Sequence, residues 1–262
     1  MDKYGLNDLL IKKKRMGLND LIKFLDLCEE EVLFWSGSWA DGFANKESDL
    51  DLYVIGNVKE IGFKTYEYTA HGFHELVRTQ IEGKGVRMDV TYIVPDIIIQ
   101  VADYFNKYDP ENDYATTWSP NFIELIHRIK IAIPVINDEK LKDYQKLIDF
   151  NKFSAYLANY YHRLADSLQQ DVLGLIDEKE YVSAYLVAIQ RLKCIVDIYL
   201  VKKGETNTRV EKWRMKKLKR IDDNAGVKEN YLKFLGRFKS DVGENDVRCI
   251  NEYIEELIFE TI

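Results

Sequence analysis

The chain has 262 residues, of which 46% are hydrophobic, and this length suits one large globular domain or two ordinary ones, with two expected. Its 44 acidic and 37 basic residues give a net charge of -7, so the chain lacks the basic excess of proteins that follow long nucleic acids. No apolar run approaches the roughly 20 residues needed to span a bilayer, and the start lacks a signal-peptide core. We therefore expect a cytoplasmic protein without a membrane partner.

The N-terminal part of the chain combines helical and strand patterns. The pentapeptide GLNDL occurs twice, from Gly5 and from Gly17, and its Asn and Asp residues are typical of helix caps, which predicts two short helices. From residue 31 onwards, short runs rich in branched and aromatic residues predict strands. These strands are expected at Val32–Trp35, Leu50–Ile55, about Thr65–Thr69, Glu75–Ile81 and Val86–Val94. Residues 1–115 are therefore predicted to form a mixed sheet with helices.

Beyond residue 120 the apolar residues follow the spacing of helices. Three apolar stripes begin at Phe122, Phe153 and Tyr185. Pro134 is expected to close the first of these helices and Gly204 the third. Residues 116–262 are therefore predicted to be a helical bundle, and the whole chain an α+β protein of two domains.

The segment from Ser36 to Leu52, between two predicted strands, carries the most informative chemistry. Side chains alternate along a strand, so Asp49 and Asp51 are expected on one face while Leu50 points into the core. Two carboxylates this close repel each other unless a cation lies between them. A hard divalent metal ion with oxygen ligands supplies that cation.

Asp89 offers a third carboxylate, because it is an isolated acidic residue in a later apolar strand and is expected to face the other two. Three carboxylates can hold two metal ions about 4 Å apart, and nucleotidyl transfer needs that arrangement. Gly37 permits a tight turn after its strand, and the Ser38 hydroxyl with neighbouring N–H groups can hold a triphosphate. The pattern therefore predicts a nucleotide site beside a metal site.

The combination of Gly37-Ser38, the run Ser48–Asp51 and the later Asp89 resembles the DNA polymerase β-type nucleotidyltransferase superfamily over roughly residues 31–94. An Asp-X-Asp sequence alone is common at exposed strand ends, so the resemblance rests on all three parts together. The helical half resembles, more loosely, the C-terminal domain of antibiotic nucleotidyltransferases such as those that modify aminoglycosides. The resemblance implies a polymerase β-like domain at residues 1–115 and a helical domain at 116–262.

The resemblance also implies roles for individual residues. Asp49 and Asp51 would bind two Mg²⁺ ions, and Asp89 would bind the catalytic ion and help to activate the acceptor hydroxyl. Ser38 would bind the phosphates of ATP or another nucleoside triphosphate, with Gly37 and Ser48 completing the nucleotide-binding motif.

Related enzymes usually add a basic residue from the helical domain to the triphosphate. The candidates here are Lys212 and Arg209, followed by Lys193. Some antibiotic-modifying relatives use a further acidic residue as general base. Glu124 and Asp166 lie on suitable predicted helices, and the choice of base stays open.

The resulting expectation is a magnesium-dependent enzyme that moves AMP from ATP to a hydroxyl of a small-molecule acceptor and releases pyrophosphate. By resemblance, the acceptor is an aminoglycoside-type antibiotic and the biological role is antibiotic resistance. An RNA, protein or nucleotide acceptor is an alternative. A non-catalytic nucleotidyltransferase-like partner in a toxin–antitoxin pair is another. The chain is expected to be a monomer or a homodimer.

Overall fold

The computed structural model describes residues 3–14, 17–57, 64–70, 73–81, 87–113, 120–206, 211–221, 226–238 and 241–261. The chain divides into two compact units. Unit 1 comprises Met1–Lys107 and Trp118–Phe150, and unit 2 comprises Tyr108–Thr117 and Asn151–Ile262. Unit 1 contains a β-sheet with helices and unit 2 is helical, which confirms the predicted α+β class.

Unit 1 begins with the two predicted N-terminal helices and then alternates strands with further helices. Its elements are α1 (Lys3–Lys14), α2 (Leu18–Phe24), β1 (Val32–Ser36), α3 (Gly37–Ala40), β2 (Leu50–Ile55), β3 (Lys64–Ala70), β4 (Phe73–Ile81), β5 (Met88–Ile93), α4 (Pro95–Lys107), α5 (Pro120–Lys130), β6 (Ile133–Ile136) and α6 (Asp138–Leu147). Asn7 of the first GLNDL copy caps α2, because its Oδ1 accepts the N–H of Leu18 at 3.0 Å. The two copies thus cooperate in one local structure.

The strands form one mixed sheet in the order β3-β4-β5-β2-β1-β6. β2 and β5 run parallel, whereas the other neighbouring pairs in the described sheet are antiparallel. The connection from β2 to β5 passes through the β3–β4 hairpin, which lies at the far side of β5. This topology places the beginnings of β2 and β5 side by side.

One face of the sheet is apolar and packs against the N-terminal helices. Leu50, Leu52 and Val54 of β2 are fully buried in this core. The helices and the residue that follows α2 contribute four buried leucines, at Leu6, Leu10, Leu21 and Leu25. Because side chains alternate along a strand, Asp51 projects from the opposite face. The sheet's apolar face therefore fixes which face carries the acidic residues.

The prediction that Pro134 closes a helix is wrong. α5 already ends at Lys130, and Pro134 lies in β6, an edge strand that pairs with β1. Proline has no N–H to donate and is tolerated on edge strands. Pro134 stands opposite Phe34, beside a shift of register between Leu33 and Phe34.

The predicted domain boundary between residues 115 and 116 also needs correction. β6 completes the sheet through its bonds to β1, so the segment Trp118–Phe150 belongs to unit 1 rather than to the helical unit. The predicted apolar stripe of α5 is buried in the structure, and it consists of Phe122, Leu125, Ile126 and Ile129. Helical periodicity alone does not show which unit buries such a stripe.

Unit 2 is built from long helices followed by shorter ones. They are α7 (Phe150–Asp177), α8 (Tyr181–Lys202), a 3₁₀ turn at Glu211–Trp213, α9 (Arg214–Arg220), α10 (Val227–Gly236) and α11 (Glu244–Thr261). The predicted end of α8 at Gly204 is confirmed, since Gly204 has a φ of +89° and the N–H of Glu205 bonds to the carbonyl of Leu200 at 2.9 Å. This is the helix ending that favours glycine.

α8 is the central helix of unit 2 and is buried along most of its length. Its Arg191 side chain, 1% exposed, donates to Gln169 of α7 at 3.1 Å and to Glu255 of α11 at 2.6 Å. Its Asp197 accepts two bonds from Arg214 of α9, at 2.9 and 2.8 Å. Among the described residues, no helix is at once long and apolar enough to cross a bilayer.

The three cysteines are predicted to differ in reactivity. Cys28 and Cys249 are exposed, whereas Cys194 is buried in α8, and burial raises the pKa of its thiol to about 12. A thiol reagent such as Ellman's reagent should therefore titrate two thiols in the native protein and three in guanidinium chloride. The Cys28→Ser and Cys249→Ser variants should each lose one native equivalent. A rapid third equivalent in the folded protein would contradict this packing.

Candidate active site

Asp51 and Asp89 lie side by side on neighbouring parallel strands. They are direct register partners between β2 and β5, and adjacent strands are about 4.8 Å apart. Asp89 is 1% exposed and Asp51 is half-buried. The structure thus brings together two of the three acidic residues singled out in the sequence.

The third, Asp49, immediately precedes β2, and its side chain is about one third exposed. It is joined to Asp89 by Arg87, a residue that sequence reasoning did not select. The Arg87 Nη2 donates to Asp49, and it also donates to Oδ2 of Asp89 at 3.4 Å. The Arg87 Nε lies 3.3 Å from Oδ1 of Asp89. One guanidinium therefore bridges the two carboxylates.

Gly37 allows the loop after β1 to come against the Asp51 carboxylate. Its φ is +80°, and a Cβ at this position would lie 2.0 Å from Oδ2 of Asp51 and 2.9 Å from Nη1 of Arg128. Any side chain here would collide with both groups. The loop is closed behind Gly37 because the carbonyl of Ser38 accepts the N–H groups of Phe43 and Ala44, at 2.8 and 2.9 Å.

The two serines of the predicted nucleotide motif have different surroundings. Ser38 follows Gly37 in the short helix α3 and is half-buried. Ser48 closes a turn, since its hydroxyl accepts the N–H of Asn45 at 2.9 Å and lies 3.3 Å from the Asn45 side-chain oxygen. Its carbonyl accepts the indole N–H of Trp39 at 3.3 Å. Ser48 therefore shapes the loop that leads into Asp49.

The predicted basic residues of the helical half belong to unit 2. The Lys212 ammonium lies 4.7 Å from the centre of the Trp213 ring, in a cation–π contact. Lys193 forms an ion pair with Glu211 at 2.5 Å. Arg209 lies outside the described residues. A triphosphate-binding role for Lys212 or Arg209 stays a prediction.

Arg128 of α5 is the second site residue that sequence reasoning missed. Its side chain is 10% exposed, and its Nη2 donates to Glu124 at 2.5 Å. Burial acts to lower the Arg128 pKa, but the neighbouring Tyr53, Asp51 and Glu124 outweigh it and hold the pKa above its ordinary value. Arg128 is therefore a fixed positive charge beside Asp51.

Two further bonds hold α5 at this place. The Ser36 hydroxyl at the end of β1 donates to the backbone carbonyl of Arg128 at 3.0 Å. His127 places its Nε2 3.2 Å from Oδ2 of Asp41, and both side chains are buried. Asp41 directly follows α3, so the pair ties α5 to the Gly37 loop. The sequence contains a signal for this arrangement only in the adjacent polar residues His127 and Arg128 within an apolar stripe.

The donor set suits magnesium by its chemistry. Asp49, Asp51 and Asp89 supply only oxygen atoms, which Mg²⁺ prefers. Within the described residues, however, no three His, Cys, Asp or Glu side chains are grouped to hold a metal ion, and Arg87 bridges two of the three aspartates. The structure therefore shows an acidic face that a guanidinium contacts.

The fold and this acidic face define the class of the molecule as an α+β protein with a carboxylate-lined site at the start of two parallel strands. No protein-family model and no curated protein matches the sequence. Among solved structures, the chain is similar to a nucleotidyltransferase-like protein from Exiguobacterium sibiricum, with 13% identity over 88% of this chain and 68% of that chain and a TM-score of 0.43.

The crowding at Gly37 predicts a larger effect for Gly37→Ala than for Gly42→Ala. Both glycines have a positive φ, +80° and +75°, so alanine should cost each about 1–2 kcal/mol. At Gly42 the added methyl meets nothing within 4 Å, whereas at Gly37 it displaces the Asp51 carboxylate. Urea denaturation should therefore show a further loss in free energy of unfolding for Gly37→Ala. Equal losses for the two variants would contradict the close approach to Asp51.

The buried position of Arg128 predicts that its charge is needed for folding. Arg128→Met should lower the free energy of unfolding by about 3 kcal/mol, since it leaves the Glu124 carboxylate without its cation. Adding Glu124→Gln should restore part of the loss. Lys142→Met, which removes a cation from exposed ion pairs on α6, should change stability by less than about 1 kcal/mol in the same urea measurement. An equally small change for Arg128→Met would refute the role of Arg128 as the cation that the Glu124 carboxylate requires.

Proposed function

We propose that the protein is a nucleotidyltransferase that moves a nucleoside monophosphate, AMP from ATP in the first instance, to an acceptor hydroxyl. The observation that carries the proposal is the pairing of Asp51 with Asp89 on adjacent parallel strands, directly under a glycine loop that leaves no room for a side chain. Two carboxylates fixed this close repel each other, so the arrangement favours a site that binds cations. A triphosphate arrives with such cations.

In this proposal Asp49, Asp51 and Asp89 hold two Mg²⁺ ions. When bound, the ions supply positive charge that lowers the pKa of the acceptor hydroxyl and stabilises charge on the transferred phosphate. The Ser38 hydroxyl and the N–H groups of the Gly37 loop bind the β- and γ-phosphates. The positive charge of Arg128 attracts the Asp51 carboxylate and stabilises its position.

The reaction proposed is an in-line displacement at the α-phosphorus. The acceptor oxygen forms a bond to that phosphorus as the bond to the β-phosphate oxygen breaks, and pyrophosphate leaves with the electron pair. The hydroxyl proton passes to solvent water in the same reaction, and Asp89, which would hold the catalytic ion, helps to activate the hydroxyl. Glu124 is a poor choice of base because it is already paired with Arg128.

A small-molecule acceptor fits the charge of the chain better than a polynucleotide does. With a net charge of -7, the protein repels nucleic acid at long range and attracts cationic compounds. Aminoglycosides are polycationic and rich in hydroxyl groups, so they head the acceptor panel, and a resistance role would follow from their modification. The proposal places the protein in the cytoplasm, where ATP and Mg²⁺ are available, as a monomer or homodimer.

The proposal predicts that pyrophosphate release depends on two acidic residues. The purified chain is incubated with each nucleoside triphosphate and Mg²⁺ across a panel of aminoglycosides, other antibiotics, nucleotides, tRNA and proteins. Asp51→Asn and Asp89→Asn should lower release by about 100-fold or more, because each removes a ligand of the metal ions. Asp103→Asn, which removes an exposed carboxylate paired with Lys107 on α4, should leave release unchanged.

The outcomes separate the candidate functions. Release with one class of acceptor names the substrate, and release only with RNA or protein moves the enzyme to the alternative acceptors. Binding of nucleotide without release for any acceptor would favour a non-catalytic partner protein. Activity that survives both Asp51→Asn and Asp89→Asn would refute the assigned site.

A further inference from the structure

Two arginines neutralise the acidic face of unit 1, and they differ in how firmly they are held. The Arg128 side chain is 10% exposed and is fixed by Glu124 and by the anchoring of its own backbone carbonyl. The Arg87 side chain is 44% exposed and reaches the site from the residue just before β5. Its contacts in the site are the carboxylates of Asp49 and Asp89. Arg128 is thus built into the fold, whereas Arg87 can leave without disturbing the core.

Arg87 contacts two of the three carboxylates that the proposed function assigns to divalent cations. A metal ion held by Asp49 and Asp89 would need the carboxylates that Arg87 now contacts. Arg87 donates to Asp49, and its Nε and Nη2 lie 3.3 and 3.4 Å from the two carboxylate oxygens of Asp89. Asp89 is buried, so its charge has little water to screen it and requires a partner at all times. A guanidinium with several donors in a fixed fork can meet two carboxylates at once.

We propose that Arg87 is an exchangeable counterion of the candidate metal site: it holds Asp49 and Asp89 together in the metal-free protein and is displaced when a divalent cation binds. This inference rests on the proposed function, since it takes the acidic face to be a metal site. It adds that metal binding and the Arg87 contacts exclude each other. The apparent Kd for the metal ion then equals the intrinsic Kd divided by the fraction of molecules in which Arg87 has left the two carboxylates.

The test measures metal binding directly and needs neither nucleotide nor turnover. Mn²⁺ is titrated into the full-length chain as a probe for Mg²⁺, and bound ions are followed by electron paramagnetic resonance and isothermal titration calorimetry. Arg87→Gln should lower the Kd for Mn²⁺ by about three- to tenfold, because the carboxylates no longer have to release the guanidinium. Asp89→Asn should weaken binding strongly, which assigns the bound ion to this site.

Two further variants separate exchange from a general effect of charge. Lys142→Gln removes the same charge from an exposed position of α6 and should leave the Kd unchanged. Arg87→Lys keeps the charge but replaces the fork by a single ammonium, which cannot bridge both carboxylates in the same geometry. Its Kd should fall between those of the parent chain and Arg87→Gln. Circular dichroism checks that each variant is folded, and Arg87→Lys carries the test if Arg87→Gln is not.

The results distinguish failure of this inference from failure of the proposed function. An unchanged or weaker Mn²⁺ affinity in folded Arg87→Gln, with Asp89-dependent binding in the parent chain, would overturn the exchange and leave the metal site intact. An Arg87→Lys affinity equal to that of the parent chain would point to charge alone and also overturn it. Absence of Asp89-dependent binding in every variant would overturn both.

Discussion

The repulsion between Asp51 and Asp89 is the constraint on which the acidic site depends. Parallel pairing of β2 with β5 makes them direct neighbours, and the apolar residues on either side of each aspartate leave the strand no freedom to turn one of them away. Like charges at this distance must be balanced by cations. In this structure the balance comes from Arg128 and Arg87, one buried beneath the loop and the other reaching in from the strand end.

The same constraint explains why α5 belongs to the sheet unit. The helix carries Arg128 to Asp51, and it is held there by the Ser36 hydroxyl and by the pairing of His127 with Asp41. β6 then follows within a few residues and closes the edge of the sheet against β1. A segment that looks like the first helix of a bundle is in fact part of the wall of the candidate site. Unit 2 is a separate compact unit with ion pairs of its own, between Arg191 and Glu255 and between Arg214 and Asp197.

The loop after β1 combines a tight backbone with little freedom for its side chains. Gly37 has no space for a methyl group, and Ser48 is engaged in the turn that leads into Asp49. Ser38 is left as the hydroxyl of the loop that the proposed function assigns to phosphate. In the proposal, Gly37 and Ser48 therefore fix the backbone of the loop, and Ser38 contacts the ligand. One hydroxyl side chain is enough in this arrangement, because backbone N–H groups can themselves bind phosphate.

The sequence alone determined the features that depend on local patterns. Alternation along β2 and β5 predicted the strands, the buried leucines and the common face of the aspartates, and helical spacing with a terminal glycine predicted the end of α8. Only the tertiary structure decided which partners these residues meet. Arg87 is separated from Asp49, and Arg128 from Asp51, by long stretches of chain. Pro134 suggests a helix end in the sequence, but β6 pairs with β1 in the structure. The physical reason is that periodicity reports which face of an element is buried, whereas the identity of what covers that face depends on contacts between segments distant in the chain.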